Sequence, residues 1–136
     1  MFDFEGLNIL AIVIAFIVNV VIGAFWYSPA GFGKKWSKLT GVDMMKTPKE
    51  ETNRAIILVA ISSLLQAFIL ALVLNTLAPA TVFEAITSTL IIWFGLTAIT
   101  TIGNTLYQRQ SLKLWWINAS FFLVVMVINA IVIFYL

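Results

Sequence analysis

Eight amide and hydroxyl side chains, Asn19, Ser62, Ser63, Gln66, Thr97, Thr101, Asn104 and Asn118, stand inside stretches that are otherwise almost wholly apolar. Such groups give and take hydrogen bonds and do little else at neutral pH. The chain has no histidine and no cysteine, so it offers no imidazole or thiolate as metal ligand, nucleophile or base. Its serines and threonines have no buried acid or lysine beside them to activate them. No ionisable residue lies deep in an apolar run, and a proton relay, a charge-coupled pump or a voltage sensor needs one. An enzyme, a metal centre and a cofactor are therefore not expected. Two roles remain for the eight polar groups. They could join helices by hydrogen bonds, since an unsatisfied amide in hydrocarbon costs several kcal/mol, or they could line a cavity for a small polar solute. Asn104 and Asn118 flank one short turn at similar depth and are the expected direct pair.

The elements that must position these groups follow from composition. With 62% hydrophobic and 10% charged side chains over 136 residues, and a mean hydropathy of +1.04, the chain is too apolar for a water-soluble domain. Four runs, at about 7–27, 55–77, 83–107 and 112–136, are each long enough to cross a bilayer, which takes about 20 residues. They fill the length, so a single four-span unit over 1–136 is expected, an all-α transmembrane bundle. Asp3 and Glu5 stand where a signal peptide carries basic residues, and the first run is expected to stay in the mature protein.

Charge sorts the links. All eight basic residues lie between or beside spans one and two (Lys34, Lys35, Lys38, Lys46, Lys49, Arg54) or spans three and four (Arg109, Lys113). The positive-inside rule then puts both termini outside the cytoplasm. A formal charge of +2 gathered at membrane boundaries points to lipid headgroups and away from nucleic acid. Thr47-Pro48-Lys49-Glu50 and Thr81-Val82-Phe83-Glu84 both read as helix-opening capping boxes, which makes Glu84 a cap.

Span one ends in Phe25-Trp26-Tyr27-Ser28-Pro29-Ala30-Gly31-Phe32-Gly33-Lys34-Lys35-Trp36. Pro29 breaks the helix. Phe32, Trp36 and Leu39 then recur at spacings of four and three among lysines, so a short helix over 32–39 would lie on the membrane surface. Trp26, Tyr27, Phe32, Lys34, Lys35 and Trp36, with Trp115 and Trp116 at the start of span four, are the expected interfacial anchors.

Gly23-x-x-Trp26-Tyr27-Ser28-Pro29 followed by Phe32-Gly33-Lys34-x-Trp36 resembles the bacterial membrane family called domain of unknown function 1761. Leu106 to Ala119, "LYQRQSLKLWWINA", is similar to that family's second signature. The resemblance implies a four-span integral protein of the bacterial inner membrane and supplies no reaction, substrate or catalytic residue. Gly23, Tyr27 and Trp36 also recur at one constant offset as Gly103, Tyr107 and Trp116, as two tandem helical hairpins would require. Apolar side chains cover most helix faces, so a homo-oligomer is expected; the line Ser63, Ala67, Ala71, Asn75 on span two suits either its contact or packing within one chain. Two functions are thus expected: a scaffold or accessory protein whose basic, aromatic link meets lipid or a protein partner, or alternatively a solute binder, channel or transporter subunit with a cavity lined by Asn, Gln and Thr.

Overall fold

A computed structural model describes residues 1–136. It is all-helical, with four helical spans long and apolar enough to cross a membrane. Helix α1 runs Ile9–Trp26, the short α2 Gly33–Thr40 and α3 Lys49–Leu77. The third span is α4, Val82–Ile92, a π-helical turn at Trp93–Ala98 and α5, Ile99–Tyr107; α6, Leu112–Tyr135, completes the chain. Each boundary lies close to its expectation, and α3 begins at Lys49, ahead of its apolar part, as a helix opening in water does. The spans alternate in direction. One end of the bundle therefore holds the basic links, and the other holds the 78–81 turn and the two termini.

Local chemistry sets the ends. Asn8 caps α1 by accepting from Ala11 N–H, and Thr81 caps α4 by accepting from Glu84 N–H at 3.2 Å. The Glu84 carboxylate reaches back to Ala80 N–H at 2.8 Å, so Glu84 is a cap as its spacing indicates. The capping box expected at Thr47 does not form. Pro48 is itself the cap residue of α3, without a side-chain bond, and the Thr47 hydroxyl donates instead to Asp43 C=O inside the preceding turn. The 78–81 turn is tight because Ala78 takes a left-handed conformation (φ 48°) ahead of Pro79, which cannot continue a helix.

Helix α6 is the axis of the bundle and touches every other helical element. On one side, Ile12 and Ala15 of α1 meet Ala67 and Ala71 of α3. Ala15 and Ala67 have no accessible surface left, and the small side chains let the two backbones approach. Of the two uses open to the Ser63-Ala67-Ala71-Asn75 line, packing within the chain is the one seen at Ala67 and Ala71. On the other side, Leu70 and Leu74 of α3, Ala85 of α4, and Met126 and Ala130 of α6 form a second cluster. The first half of α3 stands away from these clusters, with residues 53–59 exposed all round.

The π turn has a geometric cause. Trp93 Nε1 donates to Ala119 C=O at 2.8 Å, and Trp115 Nε1 donates to Ala98 C=O at 3.2 Å. Residues 93 and 98 on span three are thereby pinned against residues 119 and 115 on antiparallel α6. One turn of i→i+5 helix on the first side faces one turn of i→i+4 helix on the other. The extra residue keeps both indoles on the same partner.

The tandem-hairpin expectation is not met. Trp36 lies on surface helix α2 whereas Trp116 lies within α6. Tyr27 packs inside the bundle, whereas Tyr107 is 92% exposed. The constant offset joins positions that are not equivalent, because the link from α1 to α3 is long and holds a helix of its own while the link from α5 to α6 is a tight turn.

Glycine substitutions separate built from open positions. A Cβ on Gly33 would overlap the Tyr27 and Ser28 carbonyl groups, and one on Gly31 would sit 2.5 Å from the Phe25 carbonyl oxygen. Gly33→Ala is expected to destabilise the protein by about 1–3 kcal/mol. Gly103→Ala meets no atom within 4 Å and should stabilise α5 by about 0.5–1 kcal/mol. Reversible unfolding in mixed micelles measures both; equal effects would refute the packed corner.

Candidate functional sites

The eight polar side chains divide into two groups and two outliers. The first group is a hydrogen-bonded relay near mid-span. Asn19 on α1 donates through Nδ2 to Gln66 Oε1 at 2.8 Å and to Ser63 C=O at 3.1 Å on α3. It accepts through Oδ1 from Asn129 Nδ2 of α6 at 2.7 Å. Asn19 is 4% exposed and Asn129 fully buried, so three helices are tied at one depth by one side chain. Ser63 takes part through its backbone carbonyl. Two buried atoms close the relay without a partner, Gln66 Nε2 and Asn129 Oδ1. Asn129 is not one of the eight candidate residues, although in the sequence it repeats, from Asn118, the eleven-residue spacing of Asn8 and Asn19 that puts two amides on one helix face.

The second group lines a cleft of about 220 Å³ toward the basic end, between the third span and α6. Thr97, Thr101 and Thr105 recur every four residues along one wall, and Trp115, Asn118, Ala119 and Phe122 form the other. The hydroxyls of Thr101 and Thr105 are donated to the carbonyls of Thr97 and Thr101. Thr101 Oγ1 also accepts from Trp115 Nε1 at 3.2 Å. Thr105 was not singled out in the sequence, although its spacing continues that of Thr97 and Thr101.

Asn118 does not pair with Asn104. Its Oδ1 accepts from the Tyr27 hydroxyl at 2.8 Å, which joins α6 to α1, while Asn104 is exposed on α5. Proximity to the same turn placed the two amides at similar depth but not on facing sides. Ser62 is also outside both groups, exposed on α3 with its hydroxyl donated to Leu58 C=O.

The expected anchor residues build a corner at the basic end. Trp26 Nε1 donates to Ile117 C=O of α6 at 3.0 Å. Phe121 of α6 meets Trp26 at 6.2 Å and Tyr27 edge-on at 5.4 Å between ring centroids. Phe32 packs on Trp26 at 4.9 Å and Trp36 on Tyr27 at 6.1 Å. Gly31 N–H and Gly33 N–H both donate to Ser28 C=O, folding the chain back so that α2 lies against α6. Lys34, Lys35 and Lys38 remain exposed on α2. Trp115 faces the cleft, and Trp116 packs against it while 58% exposed.

A further hollow of about 350 Å³ lies at the opposite end. Its amides are committed to the chain: Asn8 Nδ2 donates to Leu136 C=O, and Asn75 Nδ2 to the carbonyls of Asp3 and Glu5. No group of acidic side chains anywhere could hold a metal ion.

A double-mutant cycle distinguishes the relay from the pair it replaces. Asn19→Ala with Asn129→Ala should show a coupling of about 0.6–1.7 kcal/mol, and Asn104→Ala with Asn118→Ala a coupling near zero, each read from unfolding free energies in mixed micelles. A strong second coupling would contradict the geometry.

Neither a curated protein nor a solved structure matches the chain. A family model does, over residues 10–134, and its span takes in both the folded-back aromatic corner and the segment that carries Trp115 and Asn118. The chain therefore belongs to the family described as protein of unknown function DUF1761.

Proposed function

We propose that the protein is a small membrane scaffold that gathers anionic lipid, and through it or beside it a protein partner, on its basic face. The observation that carries this reading is the contrast within α2. Its aromatic side is fixed to the bundle through Tyr27, Trp36 and the Gly31-Gly33 corner, while Lys34, Lys35 and Lys38 stay exposed. A charged helix held at the membrane surface by rings, and not by a flexible tether, presents its charges at a fixed depth. Each lysine near anionic headgroups contributes about 1 kcal/mol.

The transporter alternative is weakened by the relay. Asn19, Gln66 and Asn129 bond one another between α1, α3 and α6 and do not line the cleft, so the mid-span amides act as fastening. In the preferred reading the basic face is cytoplasmic, both termini lie outside, the membrane is the bacterial inner membrane, and the protein acts without catalysis. It also self-associates: Gly95 and Gly103 present bare backbone to open space on the third span, a surface that suits a second copy.

Native mass spectrometry of protein released from phosphatidylcholine nanodiscs containing phosphatidic acid tests this, and the same spectrum reports subunit number. Replacing Lys34, Lys35 and Lys38 together by glutamine should lower phosphatidic acid retention about 100-fold at low ionic strength, the equivalent of about 3 kcal/mol. Retention unchanged in the triple variant would refute the reading.

A further inference from the structure

We propose that the threonine and asparagine cleft between the third span and α6 is a binding site for a vicinal polyol, such as the glycerol headgroup of a lipid. The argument begins with what the cleft leaves free. The Thr101 and Thr105 hydroxyl hydrogens are taken by carbonyls one turn back; Thr105 Oγ1 is then a free acceptor on the cleft wall, and Thr101 Oγ1, which already accepts from Trp115 Nε1, keeps one lone pair. Asn118, on the other wall, has its Oδ1 taken by Tyr27 and its NH₂ without a partner in the chain, which leaves a donor for a ligand. Thr97 adds a hydroxyl to the same wall. A ligand must therefore both give and take hydrogen bonds at short range, and hydroxyl groups on adjacent carbons do both.

Other chemistries fit less well. No cationic side chain lines the cleft, and an anion would meet threonine oxygens with their lone pairs outward. No carboxylate lines it either, so a buried ammonium would lack the partner that desolvation demands. The rings of Trp115 and Phe122 on the facing wall suit the C–H face of a polyol. The volume of about 220 Å³ lies below the roughly 300–1,000 Å³ of sites for drug-sized ligands, which limits the occupant to a few carbons. Depth also agrees. Asn118 lies six residues into α6 from the basic end, about 9 Å at helical rise, within reach of a lipid headgroup drawn inward or a free polyol entering from water. Unoccupied, these polar atoms would face acyl chains, which is costly.

The two sources are separable from each other and from the lysine platform. Nanodiscs with equal phosphatidylglycerol and phosphatidic acid offer two anionic lipids, of which the first alone carries a terminal diol. Lysines on α2 retain both; the cleft selects the first. Wild-type protein is expected to retain phosphatidylglycerol over phosphatidic acid by about tenfold, the ratio expected of one or two net hydrogen bonds. Thr97→Val with Thr105→Val keeps the shape of the wall and removes two oxygens without touching the Tyr27 or Trp115 bonds, and should abolish the preference. Absence of preference in the wild type, together with a glycerol-dependent shift of the Asn118 side-chain amide resonance that the valine variant lacks, would assign the cleft to a free polyol. A preference that survives in the valine variant, or neither preference nor resonance shift in the wild type, overturns the proposal.

Discussion

Hydrocarbon offers no hydrogen bonds, so polar groups that enter it seek partners in the protein, and in this fold α6 takes part in most of the side-chain hydrogen bonds between spans. Its carbonyls at Ile117 and Ala119 receive the indoles of Trp26 and Trp93. Its Asn118 receives Tyr27 and its Asn129 reaches Asn19. The aromatic residues are thus fasteners with an apolar body and one donor, a combination that fills space and satisfies a carbonyl in the same contact. Because hydrophobicity does not draw one apolar helix to another inside lipid, such directed bonds and the close alanine packing of α1 on α3 decide which helices are neighbours.

The same constraint separates structural polarity from binding polarity. Asn19 spends its amide on Gln66, Ser63 and Asn129, whereas Gln66 Nε2 and Asn129 Oδ1 are buried without a partner. Thr101 and Thr105 donate to carbonyls of their own helix and line the cleft, and Thr101 Oγ1 also accepts from Trp115. Two sets of similar residues at neighbouring depths are thus used differently, the amides between helices and the threonine hydroxyl hydrogens within one.

Spans and their limits were legible in the sequence because length and hydropathy decide them, and Glu84 was legible as a cap because its partner lies three residues away. The Thr47 cap failed at equally short range, where Asp43 C=O competed for the hydroxyl. The partner of Asn118 was not legible. Helical periodicity assigns residues to a face, but which helix that face meets depends on the lateral order of the bundle, and the tight turn between α5 and α6 suggested Asn104 where Tyr27, some ninety positions away, is the partner. Nor did any local pattern announce the π turn, because its cause is the spacing of two indole bonds across a helix pair. The aromatic corner was read as an anchor from its composition; that it also folds back on itself follows from Gly31 and Gly33, whose role depends on carbonyls that only the folded chain brings near.

The central position of α6 has a consequence for how the protein is made. A helix that contacts all the others is also the last of the four to leave the ribosome, since synthesis runs from the N-terminus. Until it arrives, Trp26, Trp93, Tyr27 and Asn19 have been delivered to the bilayer without the groups that will satisfy them. Asn19 can wait on Gln66 and Ser63, which emerge soon after it on α3, but the two indoles and the phenol cannot. Assembly is thereby held open until the final span inserts, and a chain interrupted before it would expose a row of unmatched donors, a distinguishing mark by which membrane quality control could recognise it.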